Sequence, residues 1–335
     1  MLVKELCNIG APTGYEDTVR EFLIKNSPVS DYEIDSIGNL IFHKKGSGRR
    51  VMVAAHMDEV GFIITDITED GFLKFDTLGS VDPSVMSSKK VLIGKDKLPG
   101  IICAKAIHLQ SADEVKKPHK VKNLRIDIGA ENKEDAQKYV SIGDFAVFDG
   151  EFTPFGEGAL KSKALDDRVG CSVILELMKN DYESDMYFVF TVQEEIGLRG
   201  AKCATYRINP DIALVLEGTT CADISPDKPH RAVTTLGGGC VMTAMDNAAV
   251  SDEKYFDFIK RVAEEKGIPL QIKRTTAGGT DAGSIQRSHG GVKTAVLAVP
   301  CRYLHSPVSV AHEKDIESLY SLADEVLKNI ERSGI

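Results

Sequence analysis

Four largely apolar runs in this chain are each followed, within a few residues, by an acid or an imidazole. Val51–Ala55 leads into His56-Met57-Asp58, Met186–Val192 into Glu194-Glu195, Ile212–Leu216 into Glu217, and Thr294–Val299 into His305. Uninterrupted runs of this kind suit strands buried on both faces, as in a parallel sheet covered by helices. In an open α/β sheet, clefts form beyond the carboxyl ends of the strands. Polar groups that follow four separate strands would therefore meet at one edge. A single His or Glu after a strand is ordinary, and it is the recurrence that constrains fold and site together.

The remaining segments fit that frame. The first 27 residues read as helical, with a break at Pro12-Thr13-Gly14, and residues 32–35 and 39–43 as short strands. Asp166 to Met178 carries Val169, Val173, Ile174 and Leu177 on one side of a helix. Asp252–Lys266 and Glu313–Ile330 are also helical, and Leu270–Arg274 is a strand. Strands alternating with helices predict an α/β domain with a mainly parallel, helix-covered sheet over residues 1–65 and 157–335. Residues 66–156 have another texture. Short β-like runs at Gly71–Asp76, Val91–Gly94, Ile101–Ala106, Leu124–Ile128 and Phe145–Phe148 are punctuated by Gly, Pro, Asp and Lys, with one helical stretch at Glu134–Tyr139. This spacing predicts an inserted small β-barrel or sandwich.

Composition narrows the function classes. The chain has 335 residues, room enough for two domains, and a formal net charge of -9. An acidic surface disfavours a protein that tracks a nucleic-acid backbone. No apolar run approaches the ~20 residues of a membrane helix, and the first residues lack a signal peptide's apolar core. The seven cysteines are dispersed and form no C-x-x-C pair, which suits thiols buried in a reducing compartment. The expected location is the cytoplasm.

The strand-end residues are the types that hold Zn²⁺, Co²⁺ or Mn²⁺. Two divalent ions bring four positive charges. Asp166, Glu195 and Glu217 bring three negative ones, the imidazoles of His56 and His305 are neutral, and one hydroxide closes the balance. Glu194 is then a spare carboxylate available as a general base. Asp58 lies two residues after His56, placed to accept the N–H that a ligating His usually gives to a carboxylate. Asp166 and Asp167 open a helix, where acids are mildly stabilising in any case. Other features are weaker. Gly237-Gly238-Gly239 and Gly278-Gly279 fit no phosphate-binding pattern and read as turns or backbone lining a channel. His43, His108, His119, His230 and His289 have no ligand-like neighbourhood.

These motifs together resemble the glutamyl/leucyl aminopeptidase family of tetrahedral di-metal peptidases, some of whose members carry a CelM-type endoglucanase label. The matching segments are Ala11–Glu16, Ala55–Gly61, Ala164–Arg168, Val192–Gly197, Gly279–Ala282 and Pro300–Ser306, in the family's order. The resemblance implies an α/β metallopeptidase domain with a PDZ-like insert used in assembly, as dimers or dodecamers. It implies one ion on Glu195 and His305, another on His56 and Glu217, and Asp166 between them. It implies Glu194 as base, Asp58 behind His56, a cis peptide between Asp166 and Asp167, and short peptides as substrates. One position departs: the family usually has Asp where this chain has Glu217. A Glu there occurs in related carboxypeptidases and deacylases, which keeps a deacylase or carboxypeptidase as a second reading. A non-catalytic scaffold that kept the fold is a third, and it predicts a decayed ligand set. A glycosidase needs two carboxylates flanking a sugar bond, which paired imidazoles fit poorly.

Overall fold

The computed structural model describes residues 1–224 and 232–335, so His230 lies outside the described residues. Helices α1 (Val3–Cys7) and α2 (Asp17–Asn26) come first, then strands β1 (Tyr32–Ile34), β2 (Leu40–Lys44) and β3 (Arg50–His56). The chain next builds β4 (Gly61–Ile67), β5 (Leu73–Leu78), β6 (Lys90–Ile93), β7 (Leu98–Cys103), β8 (Arg125–Asp127), α3 (Lys133–Ala136) and β9 (Phe145–Phe148). It returns through β10 (Thr153–Phe155), β11 (Ala159–Ser162), α4 (Leu165–Leu177), β12 (Asp185–Thr191), α5 (Arg199–Ile208) and β13 (Ile212–Thr220). It finishes with β14 (Cys240–Thr243), α6 (Glu253–Lys266), β15 (Leu270–Ile272), α7 (Ala282–Gln286), β16 (Lys293–Cys301), β17 (Ser309–His312) and α8 (Glu313–Asn329).

The main sheet has eight strands in the order β1-β2-β12-β3-β13-β16-β14-β15. Its centre, β12-β3-β13-β16, is parallel, and antiparallel pairs occur only toward the two flanks. Alternation in β3 explains why this stretch of sequence is apolar throughout. Val51, Val53 and Ala55 enter the large core shared with α4, α6 and α8, while Met52 and Ala54 enter a second core under α5 and α7. Each fully buried Val or Leu contributes roughly 1.5–3 kcal/mol relative to exposure, so both faces favour this register.

The insert is a closed barrel in the order β4-β5-β8-β7-β6-β9, with its own core around Phe62, Phe75, Ile126 and Phe148. Its first strand starts at Gly61, so the change of sequence texture at residue 66 falls inside β4. Several elements lack a clear sequence signal: β10, β11 and β17, which form a separate three-stranded sheet, and also β14 and α5. The short strands are too brief for a periodic pattern to stand out.

A knot of buried charge ties the root of the barrel to the main domain. Lys163 donates to both oxygens of Glu59 (2.7 and 2.8 Å) and to the Ile9 carbonyl (3.1 Å). Glu59 also accepts from the Ala11 amide (3.0 Å), and Arg168 lies 3.6 Å away while donating to the carbonyls of Leu6 and Ala11. All three side chains are at most 5 % exposed. Nearby, burial pushes the Cys7 thiol up to about 12. All seven cysteines are free, and Cys7, Cys171, Cys221, Cys240 and Cys301 are buried.

Candidate metal centre

His56 is the last residue of β3. Glu217 was expected at the end of its strand, but β13 runs on to Thr220, paired with β16 as far as Cys301. The expected boundary fails because β13 loses only one neighbour there: its pairing with β3 stops at Val215 while β16 continues. Glu217 therefore sits on a strand held from one side and free on the other. Gly218 follows it, and a Cβ there would lie 3.0 Å from the Asp166 Cβ, so the absent side chain lets the start of α4 approach the sheet. Asp166 and Asp167 are joined by a cis peptide and have non-helical backbone angles, so the regular helix begins after them.

These elements bring the candidate ligands into one pocket. Asp166 turns one oxygen to each imidazole: Oδ1 is 3.4 Å from His56 Nε2, and Oδ2 is 3.6 Å from His305 Nε2. Glu217 Oε2 lies 3.6 Å from His56 Nε2, and Glu195 Oε1 lies 3.3 Å from His305 Nε2. The far ring nitrogens are tied back to protein. Nδ1 of His305 meets the Ser80 carbonyl at 2.7 Å. Nδ1 of His56 meets the Asp58 main-chain carbonyl at 3.1 Å, closer than the Asp58 carboxylate at 3.5 Å.

The Asp58 carboxylate, read from sequence as the acceptor for His56, is mainly occupied elsewhere. It accepts from the amides of Glu194 (3.1 Å) and Glu195 (3.2 Å) and from the Thr13 hydroxyl (2.7 Å). Glu16 accepts from the Gln193 amide (3.1 Å). The Ala11–Glu16 segment thus grips the Gln193–Glu195 loop, whose Gln193 adopts a left-handed backbone (φ 55). Glu194 and Glu195 are delivered by a clamped loop, three and four residues beyond the end of β12 at Thr191.

Burial dominates the electrostatics. It lifts the carboxyls of Glu194 and Glu217 well above the usual range, with neighbouring carboxylates adding to the effect, and it raises Glu195 to about 7. Burial opposes charge on His56, but Asp166, Asp58 and Glu217 outweigh it and hold the imidazole proton well above the ordinary range. His305 is raised to about 9, again against burial, by Asp166 and Glu195. Asp166 is lowered despite burial, because both imidazoles hydrogen-bond to it.

This set fits divalent cations. Donor atoms of His56, Asp166 and Glu195 lie within 4.8 Å of one another, and so do those of His56, Asp167 and Glu217. These groupings share His56 and omit His305, whereas the contact distances pair His305 with Glu195 and Asp166. Each oxygen of Asp166 faces a different imidazole, and Glu195 lies against His305. Among the described residues, buried Glu217 Oε1, Asp167 Oδ2 and Asp281 Oδ1 have no hydrogen-bond partner. A buried carboxylate oxygen without a partner is costly unless a cation meets it.

The sequence marks Asp167 only as an acid at the start of a helix and Asp281 only as part of a motif. Both are buried acids at the site: Asp167 is raised well above its ordinary value by burial, and Asp281, which accepts from Thr191 Oγ1 at 2.5 Å, is raised to about 6. Ser80 and Lys273 carried no signal. Lys273 follows a short strand, and Ser80 lies in the barrel. The pocket measures about 380 Å³ and is lined by His56, Asp166, Glu194, Glu195, Glu217 and His305, with Lys273 its one Lys or Arg among the described residues. A larger surface hollow of about 910 Å³, bordered by Lys202, Tyr206, Arg207 and Arg287, contains none of these ligands.

An acidic pocket at the carboxyl edge of a helix-covered sheet, with two imidazoles aimed inward and carboxylate oxygens left over, defines a metal-dependent hydrolase. The model of the M42 glutamyl aminopeptidase family matches residues 38–322, and the chain belongs to that family, whose members are metallo-aminopeptidases. It is 37 % identical to a protein of Acetivibrio thermocellus over 97 % of both chains. An aminopeptidase from the archaeon Desulfurococcus kamchatkensis superposes with a TM-score of 0.93 at 35 % identity, covering 98 % of this chain and 93 % of that one. A peptidase of Pyrococcus horikoshii that can assemble into a tetrahedron or a large octahedral shell gives a TM-score of 0.87 at 36 % identity, over 97 % and 98 % of the two chains.

Proposed function

We propose that this chain removes N-terminal residues from short peptides using two divalent ions, zinc or cobalt foremost and manganese as a further option. The observation that carries the reading is the division of Asp166 between His56 and His305. Asp166 would bridge the ions, with Glu195 and His305 on one and His56 and Glu217 on the other. Bound there, such ions polarise a carbonyl and lower the pKa of water to about 7. Asp58 fixes Glu194 and Glu195 through their amides. Glu194 accepts the proton of the attacking water and returns it to the leaving amine.

Lys273 bears on the substrate. Its ammonium donates to the Ala277 carbonyl (3.0 Å) and makes no ion pair among the described residues. We assign it to receive a substrate carboxylate, which favours an acidic N-terminal residue. The second reading gives Lys273 the α-carboxylate of an N-blocked amino acid. Glu217, in place of the usual Asp, motivates that deacylase or carboxypeptidase. A panel of free amino-acid anilides beside N-acyl amino acids and N-blocked dipeptides with free carboxylates, assayed after metal reconstitution, separates the two. Cleavage of blocked substrates with free ones ignored would overturn the aminopeptidase assignment. We further assign the insert, with a PDZ-like arrangement, to self-association between dimer and dodecamer. Exposed Ile107, Leu109, Tyr139 and Ile142 support this, and sedimentation velocity tests it. Among the described residues, no helix is long and apolar enough to cross a membrane.

A further inference from the structure

The barrel contributes Ser80 to the lining of the pocket, from the segment between the end of β5 and the turn that starts at Pro83, and Phe148 of β9 reaches the small gap beside Asp166, Glu195 and His305. Gly79 has a left-handed backbone (φ 84), and a Cβ there would lie 2.9 Å from Val60 Cγ1 and 3.1 Å from Glu195 Cβ. The Ser80 carbonyl accepts from His305 Nδ1 at 2.7 Å. Val81, next in sequence, is buried in the barrel core. Glu195 and His305 are themselves 3.3 Å apart. Both barrel contacts therefore fall on the same half of the pocket, and His56 and Glu217 are positioned from strands of the main sheet.

His305 needs such a contact more than His56 does. Its side chain is 30 % exposed against 2 % for His56, and its backbone is left-handed (φ 56) on the loop after β16. A ring this open is oriented by the hydrogen bond on its far nitrogen, which also fixes which nitrogen presents a lone pair to the pocket.

We propose that Gly79 and Ser80 are positioning residues for one cation only, so that the barrel selectively controls occupancy of the Glu195–His305 half. Gly79 does this by letting the loop lie flush on Glu195. Ser80 does it through its main-chain carbonyl, so its hydroxyl is dispensable. The inference rests on the two-ion reading above.

The test is calorimetric titration of the chelated, full-length protein with Co²⁺, with bound metal counted by mass spectrometry. The wild type should take two ions. Gly79→Ala should weaken one of them about 10- to 100-fold, the usual effect of disturbing groups that orient a ligand. The same substitution should add nothing in a His305→Gln background and act in full in a Glu217→Gln background. Val81→Ala, which loosens the anchor without crowding Glu195, should weaken the same ion by a smaller factor and covers the case in which Gly79→Ala folds poorly. Equal weakening of both ions, or unchanged affinities in both variants, would overturn the proposal. A wild type that takes fewer than two ions would remove the two-ion reading and this inference together.

Discussion

Two knots of buried charge lie on either side of a gap of about 10 Å³, lined by Glu59 and Lys163 on one flank and by Asp166, Glu195 and His305 on the other. They treat the same problem in opposite ways. In the first, the carboxylate of Glu59 has its counter-ions supplied by the chain, Lys163 in direct contact and Arg168 close by. In the second, carboxylates crowd two imidazoles and, among the described residues, no Lys or Arg pairs with them and oxygens of Glu217, Asp167 and Asp281 stay unpartnered. The difference separates structure from function. A buried charge whose partner is encoded in the chain holds elements together. A buried surplus of one sign calls for a partner from solution.

The comparison can be broken in several ways, taken here from the largest expected effect down. Asp166→Ala removes the group between the imidazoles and should abolish metal binding and peptidase activity together. Full metal content in that variant would take Asp166 out of the site. Glu194→Gln should keep both ions but lose about 10²–10⁴-fold in kcat, the scale of general acid–base catalysis. An active variant would end that role. In the first knot, Glu59→Gln leaves Lys163 buried without its partner and should cost about 3–5 kcal/mol of stability in denaturant titrations, equally with and without chelator. A loss seen only in the metal-loaded protein would show that the two knots are not separate.

Glu217→Gln should have the opposite sign in the chelated protein. It removes like charge from a site that lacks cations and should stabilise that form by on the order of 1 kcal/mol, while weakening it once metal is added. The least pronounced effect is the pH dependence of the chelated form. Glu195 is raised from 4.5 to about 7 and His305 from 6.5 to about 9, so the folded state binds more protons than the unfolded chain across that range. These groups stabilise the fold fully below pH ~4.5, and their contribution fades as pH rises to ~9. Melting temperature should therefore fall over that window in chelator. A rising melting temperature would contradict the assigned environments.

Much of this was legible along the chain. Val51–Ala55, Met186–Val192 and Thr294–Val299 are apolar on both faces, which marks them as central strands, and the residues just past them are the ones brought together. The end of β13 was less legible, because continuing the strand past Leu216 depends on β16 alone. The barrel's contact at Ser80 was invisible, since a main-chain carbonyl leaves no mark on residue type.

The chain's own pattern settles which segments bury and where acids and imidazoles emerge, because burial and backbone period are local properties. It offers adjacent acids in pairs, Asp58 with Glu59, Asp166 with Asp167, and Glu194 with Glu195, and it cannot divide their labour. Neighbours along an extended chain point to opposite sides, so Asp58 clamps the Glu194–Glu195 loop while Glu59 meets Lys163. Only the folded molecule makes that division, because a charge is defined by what stands within a few ångströms of it, and those partners lie more than a hundred residues away.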